Sequence, residues 1–174
     1  SSTQVGALTT DQVKALTTAQ ANALTSTQAV GITTVQTGSL QNAALAKMTT
    51  SAFEAIATEV VAGLSNGQVG ALTSGQITAL TTGQAAALTN VQAGGITTSQ
   101  TVGLESGDLN QLTTVAFAAL DTGVVAGLSS TQVGALRTDQ VAALTTAQAA
   151  ALTTAQTVGL SSTQTTAIES QDLA

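Results

Sequence analysis

Residues 7–38 read ALTTDQVK-ALTTAQAN-ALTSTQAV-GITTVQTG, and this stretch decides the fold because the chain repeats it in units of eight. From Ala7 to Ala174 the sequence divides into 21 octads without a gap, and residues 1–6 fit the last six positions of a preceding octad. We number the positions one to eight. Position two is Leu, Ile or Met and position four is Thr, Ser or Asn in every octad. Such regularity predicts one tandem-repeat domain over residues 1–174, and the start in mid-repeat suggests part of a longer protein.

The octads themselves repeat in blocks of eight, so the sequence also has a period of 64 residues, which is clearest at position seven. That position reads Val13, Ala21, Ala29, Thr37, Leu45, Phe53, Val61 and Val69, and then Ile77, Ala85, Ala93, Thr101, Leu109, Phe117, Val125 and Val133. Duplication of a block of eight octads accounts for this pattern. Because bulky residues recur at equal steps, we expect the Leu45–Phe53 and Leu109–Phe117 pairs to occupy equivalent layers.

The octad favours short helices over the two other regular structures. In one continuous helix, a Leu every eight residues would drift by about 80° per repeat and form no stripe. Thr and Val favour strands. Side chains alternate between the two faces of a strand, however, so an even and an odd position, such as two and seven, would point to opposite faces and a β-solenoid would not bury both. Ala, Leu and Gln are good helix formers. The sequence therefore predicts an all-α fold with one short helix per octad.

A hydroxyl or amide side chain every eighth residue is typical of a helix N-cap. Position three to position six also has the Thr-x-x-Gln spacing of a capping box. Position three is less strict, however, with Gln41, Ala57, Glu105, Asp121 and Arg137 among its residues. We therefore expect the caps at position four, namely Thr10, Thr18, Ser26, Thr34, Asn42 and Thr50.

Helices of about six residues are not stable alone in water and must stack on one another. Position seven and the next position two are three residues apart and so share a helix face. We predict a tight α-solenoid with two helices, or two octads, per coil and about ten coils, roughly 80–100 Å long. The predicted core contains Leu8, Leu16, Leu24, Ile32, Leu40, Met48, Ile56 and Leu64 at position two, with Leu45, Phe53, Leu109 and Phe117 at position seven.

The unit Leu-Thr-Thr-x-Gln-Val-x-Ala resembles the octapeptide repeats of tight left-handed α-solenoids in large bacterial secreted and surface proteins. The resemblance covers the whole chain, although the octads at 39–62 and 103–126 lack the position-six Gln. It implies two helices per coil, left-handed winding and an extracellular or cell-surface, adhesin-like setting in a bacterium.

Composition narrows the function classes. The chain has no His, Cys, Pro, Trp or Tyr, so nucleophile systems that need His or Cys and zinc sites of nitrogen or sulfur ligands are excluded. The net charge is -6, and Lys14, Lys47 and Arg137 are the only cations, which disfavours nucleic-acid binding. No apolar run is long enough to span a bilayer. We expect no enzymatic activity, no cofactor and no insertion into a membrane.

Two polar features have open interpretations. Gln at position six either forms a ladder that bonds neighbouring coils or is a half-exposed residue of the first helical turn. Glu105 with Asp108, and Glu169 with Asp172, either form weak calcium sites or are carboxylates that suit a helix N-terminus. The calcium-loop spacing of glycines and acids is absent, so we favour the second interpretation for these acids.

The sequence favours a structural spacer or stalk within a larger bacterial surface or secreted protein, with neighbouring domains of that protein as its partners. The alternative is a protein- or glycan-binding adhesin module that uses the solenoid surface. Uncapped solenoid ends also predict end-to-end association, since terminal repeats usually need a polar covering.

Overall fold

In the computed structural model every element of the described chain, residues 1–172, is a short helix, and side chains are described for residues 1–168. No strand occurs within the described range. The helices are α1 Ser2–Gly6, α2 Thr10–Lys14, α3 Thr18–Asn22, α4 Ser26–Ala29, α5 Thr34–Thr37, α6 Asn42–Leu45, α7 Thr50–Glu54, α8 Thr58–Val61, α9 Asn66–Gly70, α10 Ser74–Thr78, α11 Thr82–Ala86, α12 Asn90–Ala93, the 3₁₀ helix Thr98–Gly103, α13 Ser106–Leu109, α14 Thr114–Ala118, α15 Thr122–Gly127, α16 Ser130–Gly134, α17 Thr138–Ala142, α18 Thr146–Ala150, α19 Thr154–Val158 and α20 Ser162–Asp172. The prediction of one helix per octad is confirmed as far as the octad at 159–166, whereas α20 continues from that octad into the last one without a new start.

Most helices start with a reciprocal pair of hydrogen bonds between positions three and six. In α2 the Thr9 hydroxyl accepts from the backbone N–H of Gln12 at 3.2 Å, and Gln12 Oε1 accepts from the backbone N–H of Thr9 at 2.9 Å. Thr9 has extended backbone angles (φ -71°, ψ 162°), as an N-cap requires. The chain then makes one helical turn and a half before the next octad restarts it.

The predicted caps at position four are therefore wrong. Thr10, Thr18, Ser26, Thr34, Asn42 and Thr50 are each the first helical residue, and the N-caps are the residues before them: Thr9, Thr17, Thr25, Thr33, Gln41 and Thr49. An N-cap lies just outside the helix and accepts from a backbone N–H two or three residues later; position three does so in most helices, whereas position four is already helical. A position-four side chain can instead contact the next coil, as where Asn42 Nδ2 donates to the Gly67 carbonyl at 3.1 Å.

The coil contains three helices and not two. Each helix packs on the third helix after it along the chain, from α1 on α4 to α17 on α20, and no other pair of helices has a comparable contact within the described chain. One coil is therefore three octads, and the 21 helical segments make seven coils. The prediction of two octads per coil and about ten coils is wrong in number, while the tight α-solenoid itself is confirmed.

The core is one continuous column of position-two and position-seven side chains. Ile32, Leu40, Met48, Ile56 and Leu64 are at most 5% exposed, as predicted for position two. The predicted position-seven residues Leu45, Phe53, Leu109 and Phe117 are fully buried. Leu8, Leu16 and Leu24 are only partly buried because, within the described residues, their coil packs against the following coil alone.

The 64-residue period does not place its copies in equivalent positions around the coil. Eight helices are two coils and two helices, so Phe53 in α7 and Phe117 in α14 belong to different columns of stacked helices. The expectation of equivalent layers is therefore wrong. It depended on coils of two octads, of which four would fill each period.

Pairs of glycines mark the closest approach of successive coils. Gly70 and Gly95 lie in successive coils, and a Cβ on Gly70 would lie 2.8 Å from the Gly95 carbonyl oxygen. A Cβ on Gly95 would lie 2.3 Å from the Asn66 carbonyl oxygen, a distance that no side chain tolerates. The pairs Gly6–Gly31 and Gly134–Gly159 repeat this arrangement at steps of eight octads. Small residues at these positions therefore let the coils pack tightly.

Candidate functional site

The chemically most specific feature of the molecule is the glutamine at position six, which joins two coils. Its Oε1 completes the cap of its own helix, and its Nε2 faces the preceding coil. In α10, Gln76 Nε2 donates to the carbonyls of Leu45 at 2.8 Å and Met48 at 3.0 Å, which are 31 and 28 residues earlier. Gln76 is 1% exposed. One amide side chain thus accepts from a backbone N–H at the start of its own helix and donates to backbone carbonyls in the preceding coil.

This contact recurs along the described chain. Eleven glutamines donate to the position-two carbonyl 28 residues earlier: Gln36, Gln68, Gln76, Gln84, Gln92, Gln100, Gln132, Gln140, Gln148, Gln156 and Gln164. The interpretation of these residues as a ladder between coils is therefore confirmed. Nine of the eleven bonds are buried between layers and those of Gln36 and Gln132 are partly buried; an unpaired carbonyl in such a place would be costly.

The ladder is interrupted once in each 64-residue block, and each interruption is one coil long. Residues 39–62 have Ala44, Ala52 and Val60 at position six, and all three are buried. Residues 103–126 have Asp108, Ala116 and Val124 there. The same two coils contain Phe53 and Phe117. At five of these six positions, all except Asp108, apolar packing thus replaces the amide bonds near the bulkiest core residues.

Arg137 substitutes for a position-three hydroxyl and also reaches the preceding coil. Its guanidinium donates to the carbonyls of Asn110 and Leu112 and forms an ion pair with Asp139 at 3.0 Å. The hydrogen bond from Arg137 lowers the pKa of Asp139. Because both side chains are well exposed, this ion pair contributes little to stability.

The acids that were considered for calcium are the cap and the third residue of one helix. Glu105 is the exposed N-cap of α13, and Asp108 is buried at position six. Burial, and secondarily the charge of Glu105, raise the pKa of Asp108. No cluster of three or more metal-binding side chains occurs in the described part of the chain. The side chains of Glu169 and Asp172 lie outside the described residues.

The outer surface is mostly made of positions three, four and five. Because position four is Thr, Ser or Asn in every octad, each column of stacked helices carries a row of small hydroxyl and amide groups. The largest exposed apolar side chains, such as Val35, Val102 and Val158, are scattered over different coils. An open depression of about 510 Å³ lies between two coils near Gln41, Asn42 and Ser65. Within residues 1–172, no helix combines the length and the apolar character needed to cross a membrane.

Two features of the layers were not predicted from the sequence, namely the N-cap at position three and the coil of three helices, although the sequence contains an indication of each. The reciprocal cap was visible as Thr-x-x-Gln but was outweighed by the stricter position four. The three-helix coil was visible in the constant spacing of paired glycines and in segments of three octads without a position-six Gln.

Short helices in three stacked columns, with the same amide contact recurring between layers, define a tandem-repeat protein with a tight helical solenoid fold. A family model, the ALTTAQ repeat, matches residues 45–82, 53–90, 101–138 and 117–146. These matches span more than half of the chain, which therefore belongs to the ALTTAQ-repeat family. No curated protein and no solved structure matches the chain.

Proposed function

We propose that this chain is a structural spacer or stalk segment of a larger bacterial surface or secreted protein, located outside the cell, without catalytic activity. The carrying observation is the uniform layer contact, which links each coil to the one before through buried side chains over the described length. A rod built in this way separates its two ends by a fixed distance. Scarce charge and the lack of a concentrated site among the described residues also support this role over nucleic-acid binding or chemistry.

The distance between two positions on one column tests the spacer role. Asp11 and Ala155 are both at position five, and they are six coils apart. Helices that stack at about 8–10 Å place them roughly 50–60 Å apart. We expect labels on Asp11→Cys and Ala155→Cys to give a single narrow distance distribution in this range by pulsed spin resonance. A broad distribution would contradict a rigid spacer.

The second candidate function is a protein- or glycan-binding adhesin module. The rows of hydroxyl and amide groups at position four, and the depression near Asn42, favour it because polar groups held at regular spacing suit a polar ligand. Glycan arrays and cell-binding assays on the purified chain distinguish the two functions. Saturable binding that is lost when Asn42→Ala and Gln41→Ala are combined would favour the module over the spacer.

A further inference from the structure

One dipeptide in the middle of the solenoid, Asn66–Gly67, has the composition that favours spontaneous loss of a side-chain amide. An asparagine loses ammonia when the backbone nitrogen of the next residue attacks its amide carbon. Glycine in that next place leaves the nitrogen unshielded and the backbone free to rotate. The other four asparagines each precede a residue with a side chain: Asn22 and Asn42 precede Ala, Asn90 precedes Val and Asn110 precedes Gln.

The fold leaves both reacting groups of this dipeptide accessible. Asn66 and Gly67 are exposed, and neither the Asn66 side chain nor the Gly67 backbone N–H has a hydrogen-bond partner within the described residues. The amide of Asn42, in contrast, is held by its bond to the Gly67 carbonyl. A Cβ on Gly67 would meet only Asn42 Nδ2 within 4 Å, at 3.9 Å. The space around the attacking nitrogen is therefore open.

The local opening that the reaction needs is small. Asn66 has helical backbone angles as the first residue of α9, and it must rotate to bring the Gly67 nitrogen onto its amide carbon. The turn is held by the cap between Ser65 and Gln68, in which the Ser65 hydroxyl accepts from the backbone N–H of Gln68 at 3.2 Å. Since α9 has only five residues and short helices have little stability of their own, opening this one turn is sufficient.

We propose that Asn66 is a self-modification site, at which the chain deamidates without an enzyme. The Gly67 nitrogen bonds to Asn66 Cγ, the bond from Cγ to Nδ2 breaks, and ammonia leaves with the proton that the Gly67 nitrogen gives up. Water then opens the cyclic imide. Opening at Cγ gives aspartate, and opening at the main-chain carbonyl carbon gives isoaspartate, in which the chain runs through the former side chain. This inference is independent of the spacer role.

The two products have different effects on the contact between α9 and α12. The Asn66 carbonyl oxygen lies where successive coils approach most closely, since a Cβ on Gly95 would be 2.3 Å from it. Isoaspartate lengthens the main chain by a methylene at this point and turns that carbonyl into a free carboxylate. Aspartate leaves the main chain unchanged and adds a charge that the first turn of a helix favours. We therefore expect isoaspartate, and not aspartate, to loosen this contact.

Peptide mapping by mass spectrometry, after incubation of the full 174-residue chain at mildly alkaline pH, is the first test. Asn90 is the reference within the same molecule, because it is also exposed and is the first residue of α12. We expect Asn66 to convert roughly tenfold faster than Asn90 or more, since the rate of an intramolecular step depends strongly on how closely its atoms can approach. Conversion of Asn66 that is no faster than that of Asn90 would overturn the proposal.

Two glycine variants make the test specific to the dipeptide. Gly67→Ala has room for its Cβ and should abolish detectable conversion of Asn66. Gly83→Ala, at the same position of another helix and also exposed, is the matched control and should leave the conversion unchanged. Circular dichroism establishes that both variants are folded. Conversion that persists in Gly67→Ala, or that is lost in Gly83→Ala, would refute the assignment to this site.

The effect on the coil contact is measured on the products. Asn66→Asp provides the aspartate form directly, and the isoaspartate form is separated from the incubated chain by chromatography. We expect the isoaspartate form to unfold at a lower urea concentration than Asn66→Asp, and Asn66→Asp to unfold at the same concentration as the unmodified chain. Equal midpoints for the two products would show that the modification leaves the contact between α9 and α12 intact, against the proposal.

Discussion

At the scale of single residues, glutamine at position six has two roles that its two side-chain atoms separate. Gln76 Oε1 accepts from the backbone N–H of Thr73 within its own helix, and Gln76 Nε2 donates to the preceding coil. Glutamate shares the first ability and lacks the second. A Gln→Glu substitution therefore isolates the bond between coils from the helix cap.

We expect Gln76→Glu to lower the free energy of unfolding by about 2–3 kcal/mol or more, since a buried carboxylate would face two carbonyl oxygens. Gln12→Glu, at the exposed first coil, should change it by less than about 0.5 kcal/mol. Urea unfolding at low protein concentration measures both. Equal losses in the two variants would show that the amide acts only as a cap.

The paired glycines give a second prediction at this scale. Gly95→Ala would place a methyl group against the Asn66 carbonyl, whereas a Cβ on Gly107 meets nothing within 4 Å. Since overpacking typically costs about 1–3 kcal/mol, Gly95→Ala should be destabilising by that amount. Gly107→Ala, within α13, should be stabilising by about 0.5–1 kcal/mol because alanine favours helix. Thermal unfolding that ranks the two variants in the opposite order would contradict the close packing of coils.

Asp108 makes stability depend on pH. Its pKa is raised in the folded chain above the usual value of 3.8, and neither α11 nor α16, which pack against α13, carries a charged residue. A raised pKa means that the folded state favours the protonated carboxyl. The stability due to this group is fully present below pH 3.8 and is lost as pH rises through the raised pKa.

Accordingly, the free energy of unfolding of the unmodified chain should increase relative to that of Asp108→Asn as the pH is lowered from neutral into the acidic range. The comparison with asparagine removes the contribution of the other acids. Chemical denaturation of both proteins at several pH values measures the difference. A difference that stays constant with pH, or that changes in the opposite direction, would show that Asp108 is not held in a desolvated site.

At the scale of the helix, much of the structure follows from the octad alone. Spacing and burial preference together predict helices shorter than two turns, an apolar helix face formed by positions two and seven, and burial of the Phe53 side chain. The first residue of each helix was not predictable, because positions three and four both carry hydroxyl groups. The extended backbone angles of Thr81 and the hydrogen bond that its hydroxyl accepts show that Thr81, and not Thr82, precedes α11.

Alanine substitutions at these neighbouring threonines test which one is the cap. The Thr81 hydroxyl accepts from the backbone N–H of Gln84 at 3.2 Å, whereas Thr82 is exposed and its side chain has no hydrogen-bond partner among the described residues. We expect Thr81→Ala to cost about 1 kcal/mol of stability and Thr82→Ala only a few tenths. Thermal unfolding of the two variants gives the comparison. A larger loss for Thr82→Ala would restore position four as the cap.

At the scale of the whole molecule, the number of helices per coil could not be derived from the octad. Every helix has the same apolar face, so coils of two or three helices bury the same residues. The decisive information is in contacts between coils, such as Gly70 with Gly95, and these depend on backbone approach and not on hydrophobic pattern.

Disulfide formation between engineered cysteines tests the coil of three helices most directly, since the chain has no cysteine of its own. A Cβ on Gly75 would lie 3.5 Å from the methyl group of Thr50, one coil earlier, and both residues are exposed. We predict that Thr50→Cys with Gly75→Cys forms an intramolecular disulfide under mild oxidation, as measured by mass spectrometry and free-thiol titration. The pair Thr50→Cys with Gly67→Cys, which a coil of two octads would bring together, should stay reduced. Rapid oxidation of the second pair with no oxidation of the first would contradict the three-helix coil.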